Sequence, residues 1–453
     1  MADKRKEKTQ SFEFWIKEMK EFFDLEAYEK MSSYLEKIKP EDIAEILGEF
    51  SVEQKIKIFD VLDPDDAAVV LDDTDPQTRF QILQKIDNDK LAAVLDEMPV
   101  DEAADIVEEV PKKDREDILE LMEEEDAEDV QEILSYPEDS AARVMNPEFI
   151  YVWETNAVED AVNSIREQQA EGEVFNVYVV SEDMTFKGIV PLEKLLTSPK
   201  GTLIKDIMES DEHTIYVDED QEKAVLVMKK YDLSSLPVID SKEKLVGRIT
   251  FDDIIDIIDE ERGEDISRMT GTIEEEQGKE STFKATRNRL PWLVTCMLGS
   301  IVTGLVIRAF EITLAETIAL VSFIPVITAT GGNSGVQAST VVVREIALGF
   351  MDYTKVFEEV WRQLKIALGL ALICSVVLTL MTNIWMKDSL VGKIVGMSIF
   401  MVVVWSNVVG VLIPVAFKRL KIDPAIASGP LITTLNDVVG VFIYLSIATH
   451  FLK

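Results

Sequence analysis

The sequence predicts a multidomain chain: an all-α superhelical N-terminal domain, an α/β pair of duplicated units, a connecting helix, and an α-helical membrane domain with five transmembrane helices. Three observations predict it: segregated charge, a 12-residue repeat, and five long uncharged runs. Of the 453 residues, 46 are Lys or Arg and 85 are Asp or Glu, for a net charge of −39. From Arg289 onward there are 9 acidic and 12 basic residues, which leaves 76 acidic and 34 basic residues before it. A very acidic half therefore precedes a nearly neutral apolar one. Binding of nucleic acid through phosphate neutralisation is excluded by that balance, and the 47% hydrophobic content is too high for an acidic disordered chain.

The 12-residue period starts at Ile38. It runs through Ile38-Lys-Pro-Glu-Asp-Ile, Phe50-Ser-Val-Glu-Gln-Lys, Leu62-Asp-Pro-Asp-Asp-Ala, Thr74-Asp-Pro-Gln, Ile86-Asp-Asn-Asp, Met98-Pro-Val-Asp-Glu-Ala, Val110-Pro-Lys-Lys and Met122-Glu-Glu-Glu-Asp-Ala. Most units open on a Pro or Asp turn signal and close on an apolar pair such as Ile46-Leu47, Val70-Leu71 or Ile118-Leu119. This pattern predicts stacked short helices with one buried face and one densely acidic face.

A second duplication follows at a shift near 63 residues, with Val144-Met145 matching Ile207-Met208, and Ile150-Tyr151-Val152 matching Ile215-Tyr216-Val217. Strands are expected over Val177 to Val180 and Leu236 to Ile239, and helices over Ala157 to Ala170 and Asp220 to Tyr231. The arrangement resembles a tandem CBS-domain pair. Gly247-Arg-Ile249-Thr250-Phe-Asp-Asp253 matches the Gly-x-Ile-Thr-x-x-Asp signature that often holds a nucleotide ribose in such units, which makes Thr250 and Asp253 candidate nucleotide contacts. The first unit departs from it, with Pro191 and Lys194 in place of Thr and Asp.

From Phe251 the chain becomes acidic, and Asp253, Asp256, Glu260 and Glu264 follow helical spacing. Cations would relieve the repulsion between that stripe and other acidic surfaces; a solubilising linker helix is the plainer alternative. Domain boundaries are placed at 1–135 for the repeat, 136–202 and 203–262 for the two CBS units, 263–288 for the connecting helix, and 289–453 for the membrane domain.

Uncharged runs extend from Leu290 to Ile307, Thr317 to Val343, Ile366 to Met386, Ile394 to Phe417, and Pro424 to Thr449, the last interrupted by Asp437. Each is about 18 residues or longer, enough to span a bilayer. Basic residues concentrate before the first run and in the second and fourth loops, which places the acidic half in the cytoplasm and the C-terminus outside. The N-terminus lacks the apolar stretch of a secretory signal. Cys296 and Cys374 read as small apolar-stretch residues, and His213 and His450 lack ligand spacing.

A carboxylate inside a spanning helix costs about 2.5 kcal/mol or more, so Asp437 asks for a cation or a water-filled path. Helical spacing puts Thr433, Thr434 and Gly440 on its face. In the second run, Pro325 and the glycines at 331, 332 and 335 are expected to break or loosen the helix and free carbonyls; close helix packing is the alternative. Asn333 and Gln337, at i and i+4, add amide oxygens. Every candidate ligand is an oxygen, as hard divalent ions prefer, and Mg²⁺ leads because it keeps much of its hydration shell.

The whole order resembles the MgtE family of magnesium channels and transporters. The specific motifs are Pro325 to Gln337, similar to P-x(5)-GGN-x-G-x-Q, Arg289-Leu-Pro-Trp292-Leu, and Asp423 to Gly440. The resemblance implies a homodimer in membrane lipid with the pore on its two-fold axis. It implies Asp437 as the ion-binding carboxylate, with backbone oxygens near Ala329, Gly332 and Thr433. It further implies a cytosolic Mg²⁺ sensor with Asp253, Asp256, Glu261, Glu264 and Asp265, Asp423 at the inner mouth, Glu222 and Asp232 in the second CBS unit, and Asp101 or Asp105 in the repeat. ATP is a candidate modulator of the CBS pair.

On this reading the chain is not an enzyme. Mg²⁺ would pass inward down its electrochemical gradient, and cytosolic Mg²⁺ would shut the path by bridging acidic faces. An ion-coupled divalent-cation exchanger or exporter, and a non-transporting CBS membrane sensor, stay open as alternatives.

Overall fold

The computed structural model describes residues 2–168, 174–210, 213–272, 282–348, 351, 356–427 and 429–453. It divides into two units, one of 1–259 with 277–279 and one of 260–276 with 280–453.

In the first unit, short helices follow one another from Tyr28–Leu35 to Glu124–Ser135. Four of them start at side chains that accept the first free N–H groups. Asp63 accepts from the Asp66 N–H, Asp75 from those of Gln77 and Thr78, and Asp87 from that of Asp89, while Ser51 and Gln54 form a reciprocal capping box. Pro40, Pro64 and Pro76 each stand in a first turn, where a missing N–H costs nothing. Helices pack on their next-but-one neighbours: Pro40–Leu47 on Pro64–Asp72, that on Asn88–Leu95, and Val100–Glu109 on Glu124–Ser135. The spatial repeat is thus a helix pair, twice the sequence period. The pairs Ile46-Leu47, Val70-Leu71 and Val94-Leu95, all buried, recur at that doubled spacing.

Two small sheets follow. Strands β1 (Tyr151–Trp153), β2 (Asn176–Val180) and β3 (Phe186–Pro191) form one, with β1 parallel and β3 antiparallel to β2. Strands β4 (Ile215–Tyr216), β5 (Ser235–Ile239) and β6 (Leu245–Thr250) repeat that order and those directions. The helical repeat and the second of these α/β modules share one apolar core that runs from Met19 to Ile257 and includes Val130, Ala142, Leu236 and Ile254. The first module keeps its own core around Val152, Ala161 and Val179.

The connecting segment, expected as a helix over 263–288, differs. A 20-residue helix, Phe251–Thr270, starts directly after β6. The next helix begins at Thr282, and 273–281 lie outside the described residues. The early start has a local cause: the Asp253 carboxylate accepts from the Thr250 N–H at 2.6 Å, which is one half of a capping box, and from the Thr250 hydroxyl at 2.8 Å.

In the second unit, five helical segments among the described residues are long and apolar enough to cross a membrane: Thr282–Ala309, Ile318–Ala347, Val356–Met386, Ser389–Arg419 and Gly429–Leu452. The fourth is the most buried, packing on the second, third and fifth. Tyr444 donates to the Leu320 carbonyl at 2.9 Å, and the Asn407 amide donates to the Ser334 hydroxyl at 2.6 Å.

The glycine-rich stretch does not break its helix, contrary to expectation. Ile324–Ala347 is continuous, with the irregularity confined to a preceding 3-10 turn, Ile318–Phe323. Pro325 stands in the first turn, where it is tolerated. The glycines instead admit neighbours. A methyl group at Gly335 would lie 2.3 Å from Asn436 Nδ2, and one at Gly410 2.5 Å from the Gly335 carbonyl oxygen.

Candidate cation sites

Candidate residues fall into four groups. In the membrane unit, the carbonyls of Ala329 and Gly332 belong to a continuous helix and are committed to its hydrogen-bond ladder, each keeping only a second lone pair for an ion. Ala329, Asn333, Gln337 and Thr340 are exposed, and the first three stand at i, i+4 and i+8, so one polar face of this helix is uncovered in the single chain. Thr433 of the fifth helix packs beside Gly332, its Cγ2 3.4 Å from where a Cβ there would stand. Its hydroxyl is turned back to the Gly429 carbonyl at 3.1 Å. One turn on, Asp437 is half-buried and has neither an ion pair nor a hydrogen bond among the described residues. Asn436 beside it is fully buried, and neither of its amide atoms has a hydrogen-bond partner among the described residues. Nothing in the sequence reading singled out Asn436; its signal was an amide one position from the carboxylate.

The second group lies at the end of helix Phe251–Thr270. The Arg268 guanidinium bridges Glu264, one turn earlier, and Asp423, in the loop before the fifth membrane helix. Asp423 also accepts from the Ala425 N–H at 2.8 Å. Burial first, and then the Asp423 charge, pushes the Asp265 carboxyl up to about 6. Glu264, Asp265 and Asp423 are therefore brought into one neighbourhood.

The third group, in the first unit, is an apposition of acids. Asp101 is 8% exposed, and its Oδ1 has no hydrogen-bond partner among the described residues. Burial, and then the Asp253 charge, raises its carboxyl well above the usual range. Glu102 is pushed up to about 9 by burial first, then by the charges of Asp72, Asp101, Asp253 and Asp252. Asp253 is itself raised by burial, against the two bonds from Thr250 that favour its charge. Asp256 is raised by burial, then by Asp252, Asp259 and Asp73, and Arg79 acts against this. Acidic residues of the repeat thus face those at the start of helix Phe251–Thr270, with Arg79 and Arg248 acting against the repulsion. Asp72 and Glu102 were missed by sequence reasoning, because a regular acidic repeat carries no sign of which unit faces the second module.

The fourth group separates. Asp105, expected as an alternative to Asp101, pairs at 2.9 Å with buried Arg143, which also pairs with Glu108 at 2.6 Å. Glu222 and Asp232 lie at opposite ends of helix Gln221–Tyr231, Asp232 in the left-handed conformation that ends it. Glu261 lies between the Asp253 and Glu264 groups on their shared helix. Among the described residues no three acidic, His or Cys side chains converge tightly enough to cage a bare ion. Such loose sets of carboxylates suit an ion that keeps its water shell.

Residues 324–447 match the MgtE divalent cation transporter family, 38–139 match the MgtE intracellular N domain, and 141–201 and 204–260 match CBS domains. The chain is 32% identical over 325 residues to the magnesium transporter MgtE of Bacillus subtilis, covering 70% of this chain and 71% of that one. It is 34% identical over 327 residues to the magnesium transporter MgtE of Thermus thermophilus, again covering 70% and 71%. A crystal structure of the soluble part of a magnesium transporter superposes with a TM-score of 0.50 at 25% identity, over 55% of this chain and 99% of that one. With its intracellular helical domain, CBS pair and five apolar helices, this multi-pass membrane protein belongs to the MgtE family of magnesium transporters.

Proposed function

We propose that the protein carries Mg²⁺ into the cell down its electrochemical gradient, and that cytosolic Mg²⁺ shuts it. One observation carries the transport reading: Asp437 has no ion pair or hydrogen bond among the described residues, and its helix packs on the one whose Ala329, Asn333 and Gln337 are exposed. Such a face is too polar for lipid. It fits contact with a second copy of the chain around a hydrated path, with the C-terminus outside. Asp437 would hold the ion through its water shell, with Thr433, Asn333 and Gln337 and the carbonyls of Ala329 and Gly332 as further oxygens. An inside-negative potential contributes about 4.6 kcal/mol per 100 mV for a divalent ion, so no nucleotide hydrolysis is required.

The acidic apposition supports the regulatory reading. Asp72, Asp101 and Glu102 face Asp252, Asp253 and Asp256, an arrangement that repels itself unless protons or cations neutralise it. Hydrated Mg²⁺ would favour this docked form, and helix Phe251–Thr270 carries both Asp253 and the residues around Asp423. When Mg²⁺ falls, the acidic faces separate and the path opens. ATP binding at Thr250 would compete with the bonds that Thr250 gives Asp253.

The test is Mg²⁺ uptake into proteoliposomes held inside-negative with lumenal Mg²⁺ chelated, comparing the unaltered protein with Asp437→Ala. Uptake that is lost in the variant is the expected result. Uptake independent of Asp437, or dependent on an opposing ion gradient, would refute this reading.

A further inference from the structure

We propose that Arg268 is a tethered cation that latches helix Phe251–Thr270 to the loop before the fifth membrane helix, so that part of the shut state is held without Mg²⁺. The identification of the latched form with the shut state rests on the function proposed above. The guanidinium reaches Asp423 through Nη1 and Glu264 through Nη2. All three side chains are largely covered, Arg268 at 35% exposure, Glu264 at 29% and Asp423 at 25%. Both Asp423 oxygens are engaged, Oδ2 by Arg268 and Oδ1 by the Ala425 N–H.

A metal ion that takes Asp423 must therefore share it with, or win it from, Arg268. The charges agree with a division of labour. Glu264, Asp265 and Asp423 against one guanidinium leave two negative charges when all are ionised, which one divalent ion would neutralise; without Arg268 three would remain.

The helix end is also fitted sterically. A methyl group at Gly429, the first residue of the fifth membrane helix, would lie 2.5 Å from the Met269 carbonyl oxygen. Gly271 turns the chain at φ +76°, with the Trp292 ring 3.1 Å from where its Cβ would stand. Three successive contacts, at residues 268, 269 and 271, thus hold one helix end against the cytoplasmic side of the membrane unit. Only the first of them carries charge.

The experiment compares the full chain in lipid nanodiscs with its Arg268→Gln variant, in chelator, by hydrogen exchange over residues 262–270, and then by Mg²⁺ uptake in proteoliposomes. An ion pair of this exposure is worth a factor of about two to five. Exchange and uptake should both rise by about that factor, and Arg268→Lys should stay near the unaltered protein. The pair Arg268→Asp with Asp423→Arg should restore protection, although it forfeits the Glu264 contact, whereas Asp423→Arg alone should not. Unchanged exchange in Arg268→Gln overturns the latch; if that variant does not fold, a swap no better protected than Asp423→Arg alone overturns it. Faster exchange with unchanged uptake overturns its link to the shut state. Absence of uptake from the unaltered protein refutes the transport reading instead, and the exchange data still decide the latch.

Discussion

Glu102→Gln should strengthen docking of the helical repeat on the second CBS domain and make it depend less on Mg²⁺. Burial and the four neighbouring carboxylates push Glu102 up to about 9, from 4.5. A carboxyl whose pKa is raised on docking contributes its full stability below 4.5 and loses it progressively as pH rises to about 9. Each pH unit in that window costs about 1.4 kcal/mol. Near neutral pH the cost is about 3 kcal/mol, an upper figure because neighbouring side chains and water relax around the charge. Gln keeps the shape and removes the cost. Hydrogen exchange over residues 100–109 and 250–259, in the full chain and across a Mg²⁺ titration, reads the docked population. The variant should reach half-protection at about one tenth of the Mg²⁺ concentration the unaltered protein requires, a conservative share of that energy. The unaltered protein should become protected on acidification in chelator, whereas the variant should respond less. A variant that needs the same Mg²⁺ concentration, or an unaltered protein whose protection ignores both Mg²⁺ and pH, would refute the argument.

Further outcomes follow from packing. Gly335→Ala places a methyl 2.3 Å from Asn436 Nδ2 and 2.9 Å from Ile432 Cγ2, so it should lower thermal stability in detergent and cut Mg²⁺ uptake severalfold, whereas Gly369→Ala, with nothing within 4 Å, should do neither. Arg143→Met leaves Asp105 and Glu108 without their shared buried partner; because both carboxylates can rehydrate, the loss should be about 1–3 kcal/mol, seen as a lowered first unfolding midpoint in calorimetry.

Local chemistry made much of the architecture legible. Asp and Pro at unit starts marked helices because capping and first-turn Pro act within a few residues. The five membrane runs were legible because backbone in lipid must satisfy its own hydrogen bonds, which leaves long apolar helices as the solution. Asp437 stood out for the same reason, as a charge in an apolar run. Helix ends were less legible: at the start of the connecting helix the Asp253 carboxylate accepts from the N–H and hydroxyl of Thr250, and the same two residues had suggested a ribose contact.

By itself the sequence determined the element types, the duplicated α/β unit, and the segregation of acid from apolar surface. Each of these depends on composition or on neighbours a few positions apart. Tertiary structure alone decided which acids meet. Asp101, Glu102 and Asp72 face Asp252 and Asp253, while Asp105 is withdrawn by Arg143 and Asp423 by Arg268. It also decided that Gly335 and Gly410 serve close helix contact instead of a broken helix. The physical reason is common to both: a carboxylate's charge state and a glycine's purpose depend on groups tens to hundreds of residues away, brought near only by packing.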